Sequence, residues 1–209
     1  MKSSTSHIVV AATAACLLLL IAPAVQAQVV INEIHYNPPD ATLEFIELFN
    51  RGSSAVNVGG WSMADAVGFT LPGGTTIPAQ GYLVVALNAT ALQTATGYAG
   101  AIQWTSGNLS NGGEIMTLRD GSLATMDVLT YDDAAPWPLA PDGTGPSLEL
   151  VNPALDNGAG GSWLASTGTN RTPGAQNSVF SNAASIQSES PARRTSVATL
   201  PSVSVTFST

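Results

Sequence analysis

The chain has 209 residues, 44% of them hydrophobic and 10% charged, with 14 acidic against 6 basic side chains and a formal net charge of −8. That length suits one domain with appendages, and the composition excludes the highly charged, core-poor class of disordered chains. The acidic balance argues against a nucleic-acid binder, because neutralising phosphates needs clustered Lys and Arg.

The chain opens on an export signal. Lys2 supplies a positive start, Ile8–Ala22 is an unbroken apolar or small run, Pro23 interrupts it, and Val25-Gln26-Ala27 sets up cleavage before Gln28. This is the plan of a secretory signal peptide over residues 1–27. The run is too short to cross a bilayer as an anchor, so no membrane span is expected after cleavage. Cys16 lies inside the apolar run, which argues against a lipoprotein. The chain after Ala27 has no Cys, no Lys and one His, His35. Disulfides, thiolate nucleophiles and Schiff-base lysines are therefore ruled out there. The address read from this is secreted, periplasmic or cell-surface.

All Gly residues lie between Gly52 and Gly174. Between these turn formers stand short runs rich in β-branched and aromatic residues: Val29–Tyr36, Glu44–Asn50, Gly81–Leu87, Glu114–Arg119, Thr125–Tyr131 and Ser147–Val151. Shorter candidates are Gly60–Met63, Gly68–Leu71 and Ile102–Thr105, and Ala89–Thr96 suits one short helical turn. No run sustains a helical period, and the spacing predicts an antiparallel sandwich or barrel. Tyr82–Ala86 is almost continuously apolar and reads as a strand covered on both faces. Gly112-Gly113 and Asp120-Gly121 bracket Glu114–Arg119 as the first arm of a hairpin, with Met126–Tyr131 returning.

The order of motifs resembles the lamin-tail domain family. The resemblance begins with Val30-Ile31-Asn32-Glu33-Ile34-His35-Tyr36-Asn37-Pro38 and Glu44-Phe45-Ile46-Glu47-Leu48-Phe49-Asn50. It continues through Gly60–Asp65, Gly81–Ala86, Leu109–Glu114, Tyr131–Pro138 and Ser147–Leu150, and closes with Thr172-Pro173-Gly174-Ala175-Gln176-Asn177. It implies an all-β, immunoglobulin-like antiparallel β-sandwich over residues 28–178. It further implies a secreted prokaryotic (bacterial) member of a family whose domains commonly accompany secreted nucleases, phosphoesterases and other surface-associated hydrolases. The family offers no agreed catalytic residues to carry over.

Glu33 and Glu47 stand inside apolar strands, where an unpaired carboxylate costs several kcal/mol. As chemistry, two such groups suit general acid and base work in glycoside hydrolysis. As structure, they would accept backbone amides or pair with Arg51, Arg119 or Arg171, and the structural reading is preferred. His35 lacks a local nucleophile or orienting carboxylate and reads as an exposed imidazole at a strand end. Trp61 and Trp137 read as plugs at the ends of the sandwich with their indole N–H on carbonyls, and an exposed Trp104 would suit a sugar ring. Calcium is the metal alternative, with oxygen donors at Asp40, Asp132-Asp133, Asp142 and Asp156-Asn157, but no calcium-loop motif joins them. The expectation is no catalytic, cofactor or metal residues and no cofactor.

Residues 179–209 change composition, with no Gly or Asp and many Ser and Thr. Ser181–Thr199 reads as a linker. Val203, Val205 and Phe207 then alternate with polar residues as in a strand, which is expected to begin a further module rather than add to a sheet edge or pair with another protein; the alternative is a frayed tail whose alternation is chance. The function expected is a non-catalytic interaction or structural module accessory to a hydrolase. Its partner is an unidentified protein or cell-surface polymer. The competing readings are a small carboxylate-based hydrolase and a sugar-binding module.

Overall fold

A computed structural model describes residues 27–168 and 171–182. The segment expected to be a signal peptide, up to Gln26, the part of the expected linker beyond Asn182 and the alternating segment 203–207 lie outside the described residues. Among the described residues twelve strands form: β1 (Val29–His35), β2 (Phe45–Asn50), β3 (Val56–Asn57), β4 (Ser62–Ala64), β5 (Phe69–Thr70), β6 (Thr76–Ile77), β7 (Tyr82–Ala86), β8 (Ile102–Gln103), β9 (Glu114–Arg119), β10 (Thr125–Tyr131), β11 (Leu148–Leu150) and β12 (Trp163–Ala165). One α-helix, α1 (Ala89–Thr96), joins β7 to β8.

The strands make a six-stranded sheet, β12-β11-β1-β2-β7-β8, a four-stranded sheet, β10-β9-β4-β5, and a small β3-β6 ribbon. All pairs are antiparallel except β7 with β8. Between the two large sheets lies the main core. Ile34, Ile46, Leu48, Val85 and Leu148 from one side meet Met63, Phe69, Met116, Leu118 and Leu129 from the other. Each such side chain contributes roughly 1.5–3 kcal/mol on burial. The all-β immunoglobulin-like sandwich expected from the sequence is the fold observed, and β9 and β10 form the expected hairpin.

Tyr82–Ala86 is covered on both faces, as its apolar run suggested. Leu83 and Val85 enter the main core, while Val84 and Ala86 join Phe45 and Leu92 in a second cluster beneath α1. The helix is longer than the single turn expected. Asn88 Oδ1 accepts the Ala91 amide at 3.0 Å at its start, and Gly97 ends it in the left-handed region with φ +80. A side-chain N-cap and a left-handed C-cap satisfy end groups that one isolated turn would leave open. The ribbon strands β3 and β6 and the edge strand β12 were not foreseen; two or three residues are too few to display a period.

A bulge between Ile31 and Glu33 shifts the alternation of β1 by one residue. Val29 and Ile31 face the core before it, and Ile34 and Tyr36 after it. Glu33 and His35 therefore turn to the outer face of the six-stranded sheet. Asp127 Oδ2 accepts the Ile31 amide at 2.8 Å and Asn157 Nδ2 at 2.8 Å, so a carboxylate from the opposite sheet seats the bulge.

Candidate functional site

The outer face of β11, β1 and β2 carries three glutamates side by side. Glu33 is paired in register with Glu149 on one flank and with Glu47 on the other. All three are 0% exposed, because residues 171–182 cross over them as a strap. Glu33 accepts from Ser147 Oγ, from the Thr172 amide at 3.1 Å and from Thr172 Oγ1 at 3.1 Å. Glu47 accepts from Asn32 Nδ2 at 2.9 Å and from the Gly174 amide at 2.7 Å. Glu149 accepts from Thr172 Oγ1 at 3.0 Å, Ser178 Oγ at 2.8 Å and the Val179 amide at 3.1 Å.

Backbone geometry makes these bonds available. Gly174 has φ +79, and a Cβ there would meet the Tyr98 ring at 2.1 Å. Only glycine brings the amide this close to Glu47. Asn177 bolts the strap down: its Nδ2 donates to the Asn32 and Leu150 carbonyls at 2.9 and 2.8 Å, and its Oδ1 accepts from Asn32 Nδ2 at 2.9 Å.

Burial, reinforced by the Glu149 charge against the bond from Ser147, pushes the Glu33 carboxyl up to about 7. Burial and then the Glu33 charge hold Glu47 well above the usual carboxylate range. Burial also raises Glu149. The Thr172 hydroxyl lies within reach of both Glu33 and Glu149 but has a single proton to donate. When Glu33 is protonated, its Oε2 can donate to Thr172 Oγ1 and leave that hydroxyl to donate to Glu149. The cluster is thus built as a structural lock, with burial favouring protonated carboxyls. An acid–base pair at work needs a water and a substrate between its carboxyls.

The expected partners of Glu33 and Glu47 divide accordingly. Backbone amides are confirmed as donors, whereas the side-chain donors are Ser147, Thr172 and Asn32 rather than arginine. Arg51 Nη1 donates instead to the Pro153 carbonyl at 2.8 Å. Arg171 is close enough to Glu33 to feel its charge, but its Nε and Nη1 are buried without a hydrogen-bond partner. Glu44 has a separate role, accepting the Leu109 amide at 2.7 Å and tying β2 to the loop before β9.

His35 does end β1, but it is 0% exposed rather than solvent-facing. Its ring nitrogens lie 3.2 Å from the Leu43 carbonyl and 3.1 Å from that of Gly145, and it meets Phe45 edge-on. The bulge explains the difference by turning His35 under the chain that covers the outer face. Burial, aided by Arg171, drives its pKa down to about 4 against the pull of the two carbonyls.

Trp104 is likewise buried, at 4% exposure, with Nε1 donating to the Gly107 carbonyl at 3.0 Å, so it offers no platform for a sugar. Trp61 and Trp137 are buried as expected. The indole–carbonyl bonds expected of them occur at Trp104 and at Trp163, which donates to Asn157. The loop acids serve the backbone: Asp40 caps a short 3-10 turn, and Asp132 and Asp156 accept amides two residues on. Asp142 accepts from Asn37 Nδ2. Among the described residues, no group of three or more His, Cys, Asp or Glu is placed to hold a metal ion.

Reading the strands singly missed Glu149 and the strap residues Thr172, Asn177 and Ser178 as parts of one cluster. The signal for Glu149 was present, since Leu148-Glu149-Leu150 repeats the apolar-acid-apolar pattern of Ile46-Glu47-Leu48.

No curated protein matches this chain. The family model of the Lamin Tail Domain matches residues 22–133, more than half of the chain, ending just after the β9–β10 hairpin. With that match and the sandwich together, the chain belongs to the lamin tail domain family.

Proposed function

We propose that this chain is a non-catalytic interaction and structural module that works outside the cytoplasm, as an accessory to a secreted or surface-associated hydrolase. The observation that carries this reading is the state of its three central carboxylates. They are fully buried, saturated by neutral donors and roofed by the strap. A carboxylate-based glycoside hydrolase would need at least two of them open to a polymer and flanking its scissile bond. Charge supports the same reading. Residues 28–178 carry 13 acidic and 3 basic side chains, a net of −10, which favours a protein or neutral polymer over nucleic acid.

Two experiments test the proposal. Glu33→Gln and Glu47→Gln are assayed separately on extracellular polymers; neither is expected to change any turnover, and loss of a hydrolytic activity with the fold retained overturns the reading. N-terminal sequencing of protein recovered outside the cytoplasm should begin at Gln28, and recovery only from the cytosol overturns the exported address.

A further inference from the structure

A groove of about 650 Å³ opens beside the carboxylate lock, where the strap parts from the outer face of the sheet. Its size is that of an ordinary small-ligand site. Phe49 and Tyr82 are cross-strand neighbours on β2 and β7, with ring centroids 4.9 Å apart, and both line the groove. Phe180 from the strap lines it too and stays 37% exposed. The rim carries planar amides from Gln80, Asn152, Gln176 and Asn182; the NH2 groups of Gln80 and Asn152 are held by the Arg51 and Ser181 carbonyls, so Gln176 and Asn182 carry most of the rim's donor capacity. Among its described lining residues there is no Asp or Glu, in a chain that has 14 of them. The charged lining residue, Arg51, holds the Pro153 carbonyl.

An aromatic wall ringed by amides suits a ligand with an apolar ring face and hydroxyls around its edge. The absence of a carboxylate pair suits holding such a ligand rather than cleaving it. An extended peptide fits less well. β2 is hydrogen-bonded on both sides, to β1 and β7, so the groove lies across a sheet face and offers no free ladder for strand addition.

We propose that this groove is a glycan-binding site for a short stretch of neutral oligosaccharide, with a sugar ring against Tyr82 and Phe180 and its hydroxyls on the rim amides. The proposal rests on reading the chain as an interaction module, and it names the partner class of that module.

The test is an NMR titration of the full chain with cellohexaose, xylohexaose and chitohexaose to about 10 mM, which detects dissociation constants in the millimolar range. Saturable shifts of the Gln176 and Asn152 side-chain amides are expected with at least one of the three. Phe180→Ala and Gln176→Ala, both at accessible positions, should weaken binding about tenfold or more, equivalent to about 1.4 kcal/mol, with the melting temperature retained. Three results overturn the proposal: no saturable shift with any probe, shifts that survive both variants, or contacts in the free protein between the Phe180 ring and residues 183–209, which would make the groove a seat for the chain's own tail. Reducing ends are counted in the same samples. Their appearance would defeat the module reading itself, whereas no binding and no cleavage would defeat only the groove.

Discussion

Replacing Glu33 by Gln isolates the proton held in the carboxylate lock. The Glu33 carboxyl moves from 4.5 to about 7 on folding, chiefly through burial. Between those pH values the folded protein keeps a proton that the unfolded chain releases. Stability therefore falls as pH rises: the contribution is complete below pH 4.5 and is lost as pH passes through about 7. The interval corresponds to about 3 kcal/mol. Gln preserves the shape, and its Oε1 can still accept from Ser147 and the Thr172 amide. Its NH2 takes the place of the protonated oxygen and donates to Thr172 Oγ1, leaving that hydroxyl for Glu149. The expected outcome is near-equal stability of the two proteins at pH 4.5 and an advantage of about 3 kcal/mol for Glu33→Gln at pH 8. Urea unfolding followed by tryptophan fluorescence at pH 4.5, 6 and 8 reads this directly. His35 adds a slope of opposite sign, but it does so in both proteins and cancels in the difference. A difference that stays flat with pH, or a variant less stable at every pH, refutes the protonated lock.

His35 is lowered to about 4 from an ordinary 6.5, so its contribution is present above pH 6.5 and is lost as pH falls through about 4. His35→Gln should flatten that acid limb, as measured by equilibrium unfolding between pH 4 and 7. Asn177→Ala removes three buried hydrogen bonds that fasten the strap and should cost about 3 kcal/mol, with faster hydrogen exchange at the Thr172 and Gly174 amides. Gly113 has φ +93, and a Cβ there would sit 2.5 Å from the Tyr131 carbonyl. Gly113→Ala should destabilise by about 2 kcal/mol or more in denaturant titrations.

Strand content was legible where strands are long enough to display their alternation or their turn signals, as in β1, β2, β7, β9 and β10. Glu114–Arg119 and Thr125–Tyr131 have the same bounds in the sequence reading and in the fold. The faces of β1 were harder to read. Simple alternation from Val29 would send Glu33 and His35 inward with Ile31, and only the bulge, seated by Asp127 from the other sheet, sends them outward. No local pattern around Glu33 announces a carboxylate 94 residues away. The cluster escaped notice for the same reason: its donors, Ser147 and Thr172, are 114 and 139 residues from Glu33. The groove is equally non-local, since Phe49, Tyr82 and Phe180 meet only once three distant segments have packed.

The strap also bears on how the protein can be cut and joined. The family match stops at Asp133, and a fragment designed to that limit would seem a whole domain. It would lack β11 and β12, two of the six strands of the large sheet, and every strap residue over Glu33 and Glu47. During synthesis the same order holds: the charged face of β1 and β2 is made early, and its cover is among the last described residues to be added. Any fusion or truncation that is to leave the sandwich sealed must therefore keep the chain through at least Ser181, whose amide still bonds to Val151.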